Sequence, residues 1–109
     1  MSRITTHVLD TARGRPAAGI AVLLERMSNG GWSTVASGAT DADGRCPSLA
    51  QEAAAGTYRI TFETGAYFSG ASRRSIYPII SIVFECEGEE HYHLPLLLSD
   101  HGYTTYRGS

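Results

Sequence analysis

Hydrophobic and polar residues alternate in several short stretches of the chain, and turn-forming residues separate these stretches. The clearest case is residues 57–63, where Tyr58, Ile60 and Phe62 alternate with polar or charged residues. Because successive side chains of a β-strand point to opposite sides, a period of two is typical of a strand that buries one face. The same period recurs in residues 79–87, so both segments are predicted to be strands packed on a core.

Two further strands are predicted over residues 20–25 and 32–39, with the sequence Ser-Asn-Gly-Gly at 28–31 forming the turn between them. Residues 49–55 are rich in alanine and favour a helical turn, and a short surface helix is predicted within residues 64–74. Glycine occurs 12 times, at the short intervals that the turns of an all-β protein require. Seven or eight short strands with one short helix therefore predict an all-β sandwich of two sheets.

The C-terminal region is predicted to be an antiparallel hairpin of residues 91–98 and 103–107, because the four residues between them are turn formers. The first strand has an apolar face that is predicted to lie on the core and that consists of Tyr92, Leu94, Leu96 and Leu98. The register of this hairpin pairs Leu98 with Tyr103 and His93 with Gly108. His93 and Tyr106 are then expected to project together from the opposite face.

That opposite face carries His91, His93, Pro95 and Leu97, and its apolar members need a cover that a two-sheet sandwich does not supply. We therefore expect another subunit to cover this face. Pro95 lacks the N–H group of a strand residue, which favours an irregular pair or an edge position. From the hairpin alone, a solvated surface role for His93 stays open.

The composition limits the classes of function. The chain has 109 residues, of which 42% are hydrophobic and 18% charged, and this balance predicts one globular domain over residues 1–109. Nine basic and eleven acidic residues give a net charge of −2, so neither nucleic acid nor an anionic membrane is an expected partner. Two cysteines, Cys46 and Cys86, are too few for a disulfide scaffold and are expected to be free and partly buried. The first residues lack an apolar signal core, so a cytoplasmic location is expected.

Seven short motifs, taken together and in this order, resemble the transthyretin-related 5-hydroxyisourate hydrolases from end to end of the chain. They are HVLD at 7–10, GRPA at 14–17, DADGR at 41–45, GAYF at 65–68, YP at 77–78, HYHLPLLLS at 91–99 and YTTYRGS at 103–109. The tetrapeptide YRGS at 106–109 is the most specific, because it separates these hydrolases from the hormone-carrying transthyretins.

The resemblance implies a prealbumin-like sandwich of seven to eight strands with one short helix. It also implies a homotetramer, arranged as a dimer of dimers, with active sites at the dimer–dimer interface and no cofactor or metal. The implied reaction belongs to urate catabolism and opens the ring of 5-hydroxyisourate to give 2-oxo-4-hydroxy-4-carboxy-5-ureidoimidazoline.

Carried over by position, the resemblance assigns catalysis to His7, Arg45, His93 and Ser109, and substrate binding to His7, Arg45 and Tyr106. Histidine can accept a proton from water near neutral pH, and an arginine fork can hold a ring edge and stabilise an oxyanion. The base is assigned to His93 rather than to His7. The hydroxyl or the terminal carboxylate of Ser109 can orient a histidine or the water.

Two other functions stay open. A non-catalytic transthyretin-like protein can bind a small ligand in the same channel, although two histidines, an arginine and a tyrosine form a polar lining. His91 and His93 form a His-x-His pair on one strand face, which can bind a metal, but zinc usually needs a third protein ligand.

Overall fold

The computed structural model describes residues 1–47 and 49–108, which contain nine strands and one short helix. In chain order they are β1 (Ser2–Asp10), β2 (Arg15–Pro16), β3 (Ala21–Ser28), β4 (Gly31–Ala39), β5 (Ala50–Ala53), β6 (Gly56–Phe62), α1 (Thr64–Gly70), β7 (Ile80–Cys86), β8 (His91–Ser99) and β9 (Gly102–Thr105). The predicted all-β class with one short helix is confirmed. The count of nine exceeds the expected seven or eight because it includes β2, a strand of only two residues.

The strands form two sheets that enclose one apolar core. The first sheet has the order β2-β1-β8-β9, with β5 also paired to β1, and the second has the order β4-β3-β6-β7. The predicted core residues of β6 and β8 are buried, including Ile60 and Leu96 at 0% exposure. Cys46 and Cys86 are both free and buried at 3% and 4% exposure, which confirms the free thiols and shows fuller burial than expected.

β1 and β8 run parallel, and their pairing positions the residues of interest. The register places Thr5 opposite His93 and His7 opposite Pro95. Even-numbered residues of both strands are buried, so the odd-numbered ones point away from the core. We call this side the outer face; its residues are Arg3, Thr5, His7 and Leu9 on β1, His91, His93, Pro95 and Leu97 on β8, and Thr104 on β9.

The structure confirms the predicted register of the C-terminal hairpin. Leu98 pairs with Tyr103, and an isolated bridge joins His93 to Gly108. Ser99 also pairs with Gly102, so only two residues form the turn itself.

Of the two positions expected for Pro95, the edge is wrong, because β8 lies inside its sheet between β1 and β9, whereas the irregular pair is confirmed, because regular pairing with β9 ends at Leu96. The His93 carbonyl accepts the Gly108 N–H at 2.8 Å, so the nitrogen of Pro95, two residues on, faces the same side. Regular pairing of β9 ends at Thr105, whose hydroxyl donates to the Pro95 carbonyl at 2.9 Å. The missing N–H group therefore falls where the ladder stops. Pro95 is already buried in the monomer, so part of the outer face needs no second subunit to cover it.

The predicted helical turn at 49–55 is also wrong. Residues Ala50–Ala53 form β5, which pairs with β1. Tertiary pairing overrides the helix preference of an alanine-rich segment that is too short to form an isolated helix.

Two local predictions are confirmed. The helix at 64–70 lies within the predicted range of 64–74. The β3–β4 turn places Asn29 and Gly30 at φ 50° and 79°, which are the left-handed angles that a tight hairpin turn requires. In the described residues, no helix reaches the length and apolar character needed to cross a membrane.

A buried ion pair joins the segment after the helix to the first sheet. The Arg73 guanidinium contacts Asp10 Oδ2 at 2.5 Å and Asp100 Oδ1 at 2.6 Å, and the Asp10 side chain has no exposed surface. The Tyr67 hydroxyl also donates to Asp10 Oδ2, at 2.7 Å. Burial alone would raise the pKa of Asp10, but hydrogen bonds from Arg73, Tyr67 and the backbone of Arg13 lower it to about 2.

We expect Asp10→Asn to destabilise the protein by about 2 kcal/mol at pH 7, the free energy that corresponds to the lowered pKa. A lowered carboxyl pKa stabilises the fold above the ordinary pKa near 3.8, and this contribution disappears as the pH falls through about 2. Urea unfolding from pH 7 down to pH 2 measures both effects. Asp100→Asn is the matched control: its side chain is 35% exposed, so a smaller loss is expected. Equal losses from the two variants would contradict this account.

Candidate active site

A depression of about 340 Å³ opens on the outer face where β1, β8 and the loop before β5 meet. Seven residues with charged or polar side chains line it: Arg3, Thr5, Thr6, Asp41, Arg45, His91 and His93. The structure therefore brings together Arg45 and His93, which are distant in sequence. His7 is not part of the lining, but it lies beside the depression because its backbone forms an isolated bridge with Arg45.

A tight turn holds Arg45 at this position. The Asp41 carboxylate accepts the backbone N–H groups of Asp43 at 2.9 Å and Arg45 at 3.0 Å. Gly44 has φ +79°, and a Cβ there would lie 2.3 Å from the Val8 carbonyl oxygen, so only glycine fits against β1. The sequence DADGR thus acts as a structural turn that docks Arg45 on the first strand.

The His7 side chain is held by a contact with the backbone of the same turn. Its Nε2 lies 2.7 Å from the Asp43 carbonyl oxygen. Because a carbonyl oxygen only accepts hydrogen bonds, Nε2 of His7 carries the hydrogen, and Nδ1 is the free nitrogen of the neutral ring.

His93 is half-buried, and its Nδ1 lies 2.7 Å from the Thr5 hydroxyl. Burial lowers the pKa of His93 below the ordinary value of 6.5, and the nearby charges of His91, His7 and Arg45 lower it further. The imidazole is therefore neutral at pH 7 and can accept a proton.

Arg45 is exposed and, within residues 1–47 and 49–108, its guanidinium makes no hydrogen bond or ion pair. Arg3 lines the same depression. Two arginines against one carboxylate, that of Asp41, give this surface a net positive charge, which favours an anionic or carbonyl-rich ligand.

The C-terminal residues reach the outer face through Gly108. A Cβ at Gly108 would lie 2.7 Å from His93 Cδ2 and 3.2 Å from Pro95 Cγ, so glycine lets the chain pack closely on the His93 ring. Tyr106 is 53% exposed and does not line the depression. Ser109 lies outside the described residues.

Sequence reasoning missed Thr5 and Arg3. Thr5 and Arg3 lie two and four residues before His7, so the period of two already predicts that they share a face of β1 with His7. Their contact with β8 depends on a parallel pairing between the two ends of the chain, which no local pattern indicates.

The two sheets and the cationic depression define a transthyretin-like sandwich that carries a polar site on one outer face. The chain belongs to the HIUase/Transthyretin family, whose sequence profile matches residues 4–108. A 5-hydroxyisourate hydrolase from Salmonella typhimurium is 45% identical over 97% of this chain and 80% of its own length. A Klebsiella pneumoniae 5-hydroxyisourate hydrolase structure is 41% identical, with a TM-score of 0.88 over 100% of this chain and 94% of its own. Transthyretin from Sparus aurata is 34% identical, with a TM-score of 0.91 over 96% and 95% of the two chains.

We expect the His93 ring to take up its proton below pH 6.5, because burial and each neighbouring positive charge lower its pKa. Arg45→Gln removes one of these charges, so the pKa of His93 is expected to rise. NMR titration of the imidazole resonances against pH measures it. Arg74→Gln, which removes an exposed charge from the segment after the helix, is the control and leaves the titration unchanged. A His93 ring that titrates at or above pH 6.5 in the unaltered protein would contradict the burial argument.

Proposed function

We propose that this protein hydrolyses 5-hydroxyisourate to 2-oxo-4-hydroxy-4-carboxy-5-ureidoimidazoline in urate catabolism, using a water molecule that His93 activates. The observation that carries the proposal is the meeting of Arg45 and His93 in one depression on the outer face. The named hydrolases of Salmonella and Klebsiella, similar over nearly the whole chain, support the choice of substrate.

The reaction needs a proton acceptor, a means to hold the substrate and a group that stabilises negative charge. His93 is neutral at pH 7 and has Nε2 available, so it can take a proton from water as the oxygen attacks the ring carbonyl. The new C–O bond forms, the ring C–N bond breaks, and the proton passes to the departing nitrogen. His93 is the better base of the two histidines because a lowered pKa supports its neutral form.

Arg45 is assigned two roles in this step. Its planar fork of donors fits a carbonyl-rich ring edge, and its charge stabilises the oxyanion that develops at the attacked carbonyl. An arginine without a protein partner among the described residues supports this assignment, because its donors stay available to a ligand.

His7 and the C-terminal residues complete the proposed site. His7 Nε2 is committed to the Asp43 carbonyl, so Nδ1 is the nitrogen that orients the water or contacts the substrate. Tyr106 is proposed to contact the substrate from its exposed position just after β9, and Ser109 to orient a histidine or the water.

We propose a homotetramer, a dimer of dimers whose sites lie at the dimer–dimer interface. Half-buried Leu97 lies on the outer face with the depression, and Tyr106, just after β9, is 53% exposed, so a facing subunit would cover these apolar side chains and close the site. A cytoplasmic location, suggested by the sequence, remains part of the proposal.

A non-catalytic small-ligand binding protein is the second candidate, and the high structural similarity to a transthyretin favours it. The depression argues for hydrolysis instead, because its lining of arginines and histidines can move protons and stabilise charge.

We expect His93→Asn and Arg45→Lys each to lower kcat/KM at least about tenfold, the first by removing the base and the second by removing the donor fork. The assay adds the purified protein to urate and urate oxidase and follows the loss of 5-hydroxyisourate absorbance. His101→Asn and Arg74→Lys change exposed residues elsewhere and serve as controls. Full activity in both His93→Asn and His7→Asn would refute histidine base catalysis, and an unaltered protein without turnover would leave the binding protein as the function.

We expect Leu97→Glu to give a folded but smaller species with greatly reduced hydrolysis. A carboxylate is costly to desolvate at an interface, whereas the buried side of β8 is unchanged by this substitution. Light scattering and activity, measured on the same sample, test this prediction. Ser37→Glu puts the same charge on the exposed surface of the other sheet and is expected to leave the assembly intact. A fully active tetramer of Leu97→Glu would remove the outer face from the interface.

A further inference from the structure

Three polar groups form a row across β1 and β8 on the outer face. The Thr5 hydroxyl lies 2.7 Å from His91 Nε2 and 2.7 Å from His93 Nδ1. The parallel register explains the row, since Thr5 is opposite His93 and one step along the face from His91. His91 is exposed and His93 is half-buried, and all three residues line the depression.

We propose that Thr5 and His91 are positioning residues for His93: through the shared hydroxyl they keep the hydrogen of neutral His93 on Nδ1 and leave Nε2 as the proton acceptor. The inference rests on the proposed function, because it concerns how the base of that reaction is prepared.

Hydrogen counting carries the argument. A threonine hydroxyl has one hydrogen to donate and can accept two hydrogen bonds, and a neutral imidazole has one donor and one acceptor nitrogen. If Thr5 donates to His91 Nε2, then His93 must donate from Nδ1 to bond Thr5, and Nε2 keeps its lone pair. If Thr5 donates to His93 Nδ1, the hydrogen of His93 sits on Nε2, and the ring cannot act as a base through that atom.

His91 can accept the Thr5 hydrogen at Nε2 only when its ring is neutral and its own hydrogen is on Nδ1, so the active arrangement requires an uncharged His91. A protonated His91 carries hydrogen on both nitrogens, so Nε2 must donate to the Thr5 hydroxyl. The hydrogen of Thr5 is then free to bond His93 Nδ1, which favours the inactive arrangement. A proton on His91 therefore switches off the base without residing on His93.

Other charged groups face the row and act on both rings. They are Arg3 and His7 on β1, Asp41 and Arg45 on the loop before β5, and Glu90 and Arg107 next to His91. Glu90 and Arg107 pair with each other at 2.8 Å. The positive groups among them disfavour a second proton in the row once one ring carries a proton.

The first test removes the hydroxyl. Thr5→Val keeps the shape of the side chain, and we expect kcat to fall at least about tenfold with KM within about twofold, because the base is misoriented while Arg45 still binds the substrate. Thr5→Ser keeps the hydroxyl and is expected to retain kcat within about threefold. Thr34→Val, at an exposed position of the other sheet, is the matched control. Equal activity in the valine and serine variants would overturn the proposal.

The second test uses the sign of a pH shift. His91→Gln keeps an amide near Thr5 but cannot take a proton. If a proton on His91 disables the base, removing that site moves the acid limb of kcat/KM to lower pH, by at least about 0.3 pH when the two rings protonate equally. If His91 acts only as a repelling charge, its removal raises the pKa of His93 and moves the limb to higher pH. An unchanged or raised limb refutes the proposal.

The proposed base and the proposed positioning role can be refuted independently. Turnover by His93→Asn would refute the proposed base and with it this positioning role. An inactive His93→Asn, together with unaltered kcat and acid limb in Thr5→Val and His91→Gln, would leave the proposed function standing and reduce the row to a structural contact.

Discussion

The parallel pairing of β1 with β8 is the interaction on which the core and the candidate site both depend. Its register runs from Arg3 opposite His91 to Asp10 opposite Leu98. Because side chains alternate, one set of backbone hydrogen bonds fixes Val8 and Leu96 in the core and places Thr5 beside His93 on the outer face. The site therefore has the rigidity of the sheet, which a catalytic arrangement needs more than a loop can provide.

Local patterns in the sequence predict which face of each strand is buried and how adjacent strands pair. The period of two identified the buried side of β6, and the turn residues after β8 fixed the hairpin register that joins His93 to Gly108. The same patterns do not specify pairing between distant segments. β5 was therefore mistaken for a helical turn, and Thr5 was not recognised, since each depends on a partner that lies far along the chain.

Charge is distributed differently on the two sides of the first sheet. On the core side, Asp10 and Arg73 neutralise each other in a buried pair that ties the helical segment to the sheet. On the outer face, arginines and histidines gather, while the Asp41 carboxylate is occupied by backbone N–H groups of its own turn. Burial, reinforced by the neighbouring positive charges, lowers the pKa of His93, and the occupied Asp41 carboxylate leaves Arg45 available to a ligand, so the same face supplies both the proposed base and the proposed anion-binding group.

Proteins with different names share this backbone fold, and side chains on the outer face can differ between them with little effect on folding. A transthyretin and a 5-hydroxyisourate hydrolase align to this chain with TM-scores of 0.91 and 0.88. Residues such as Thr5 and His93 point away from the core, so substituting them leaves the packing of Leu94 and Leu96 intact. Function is thus specified by side chains that contribute little to folding. For this chain, the side chains proposed for that role are two imidazoles joined by one hydroxyl, next to an arginine that a glycine turn holds in place.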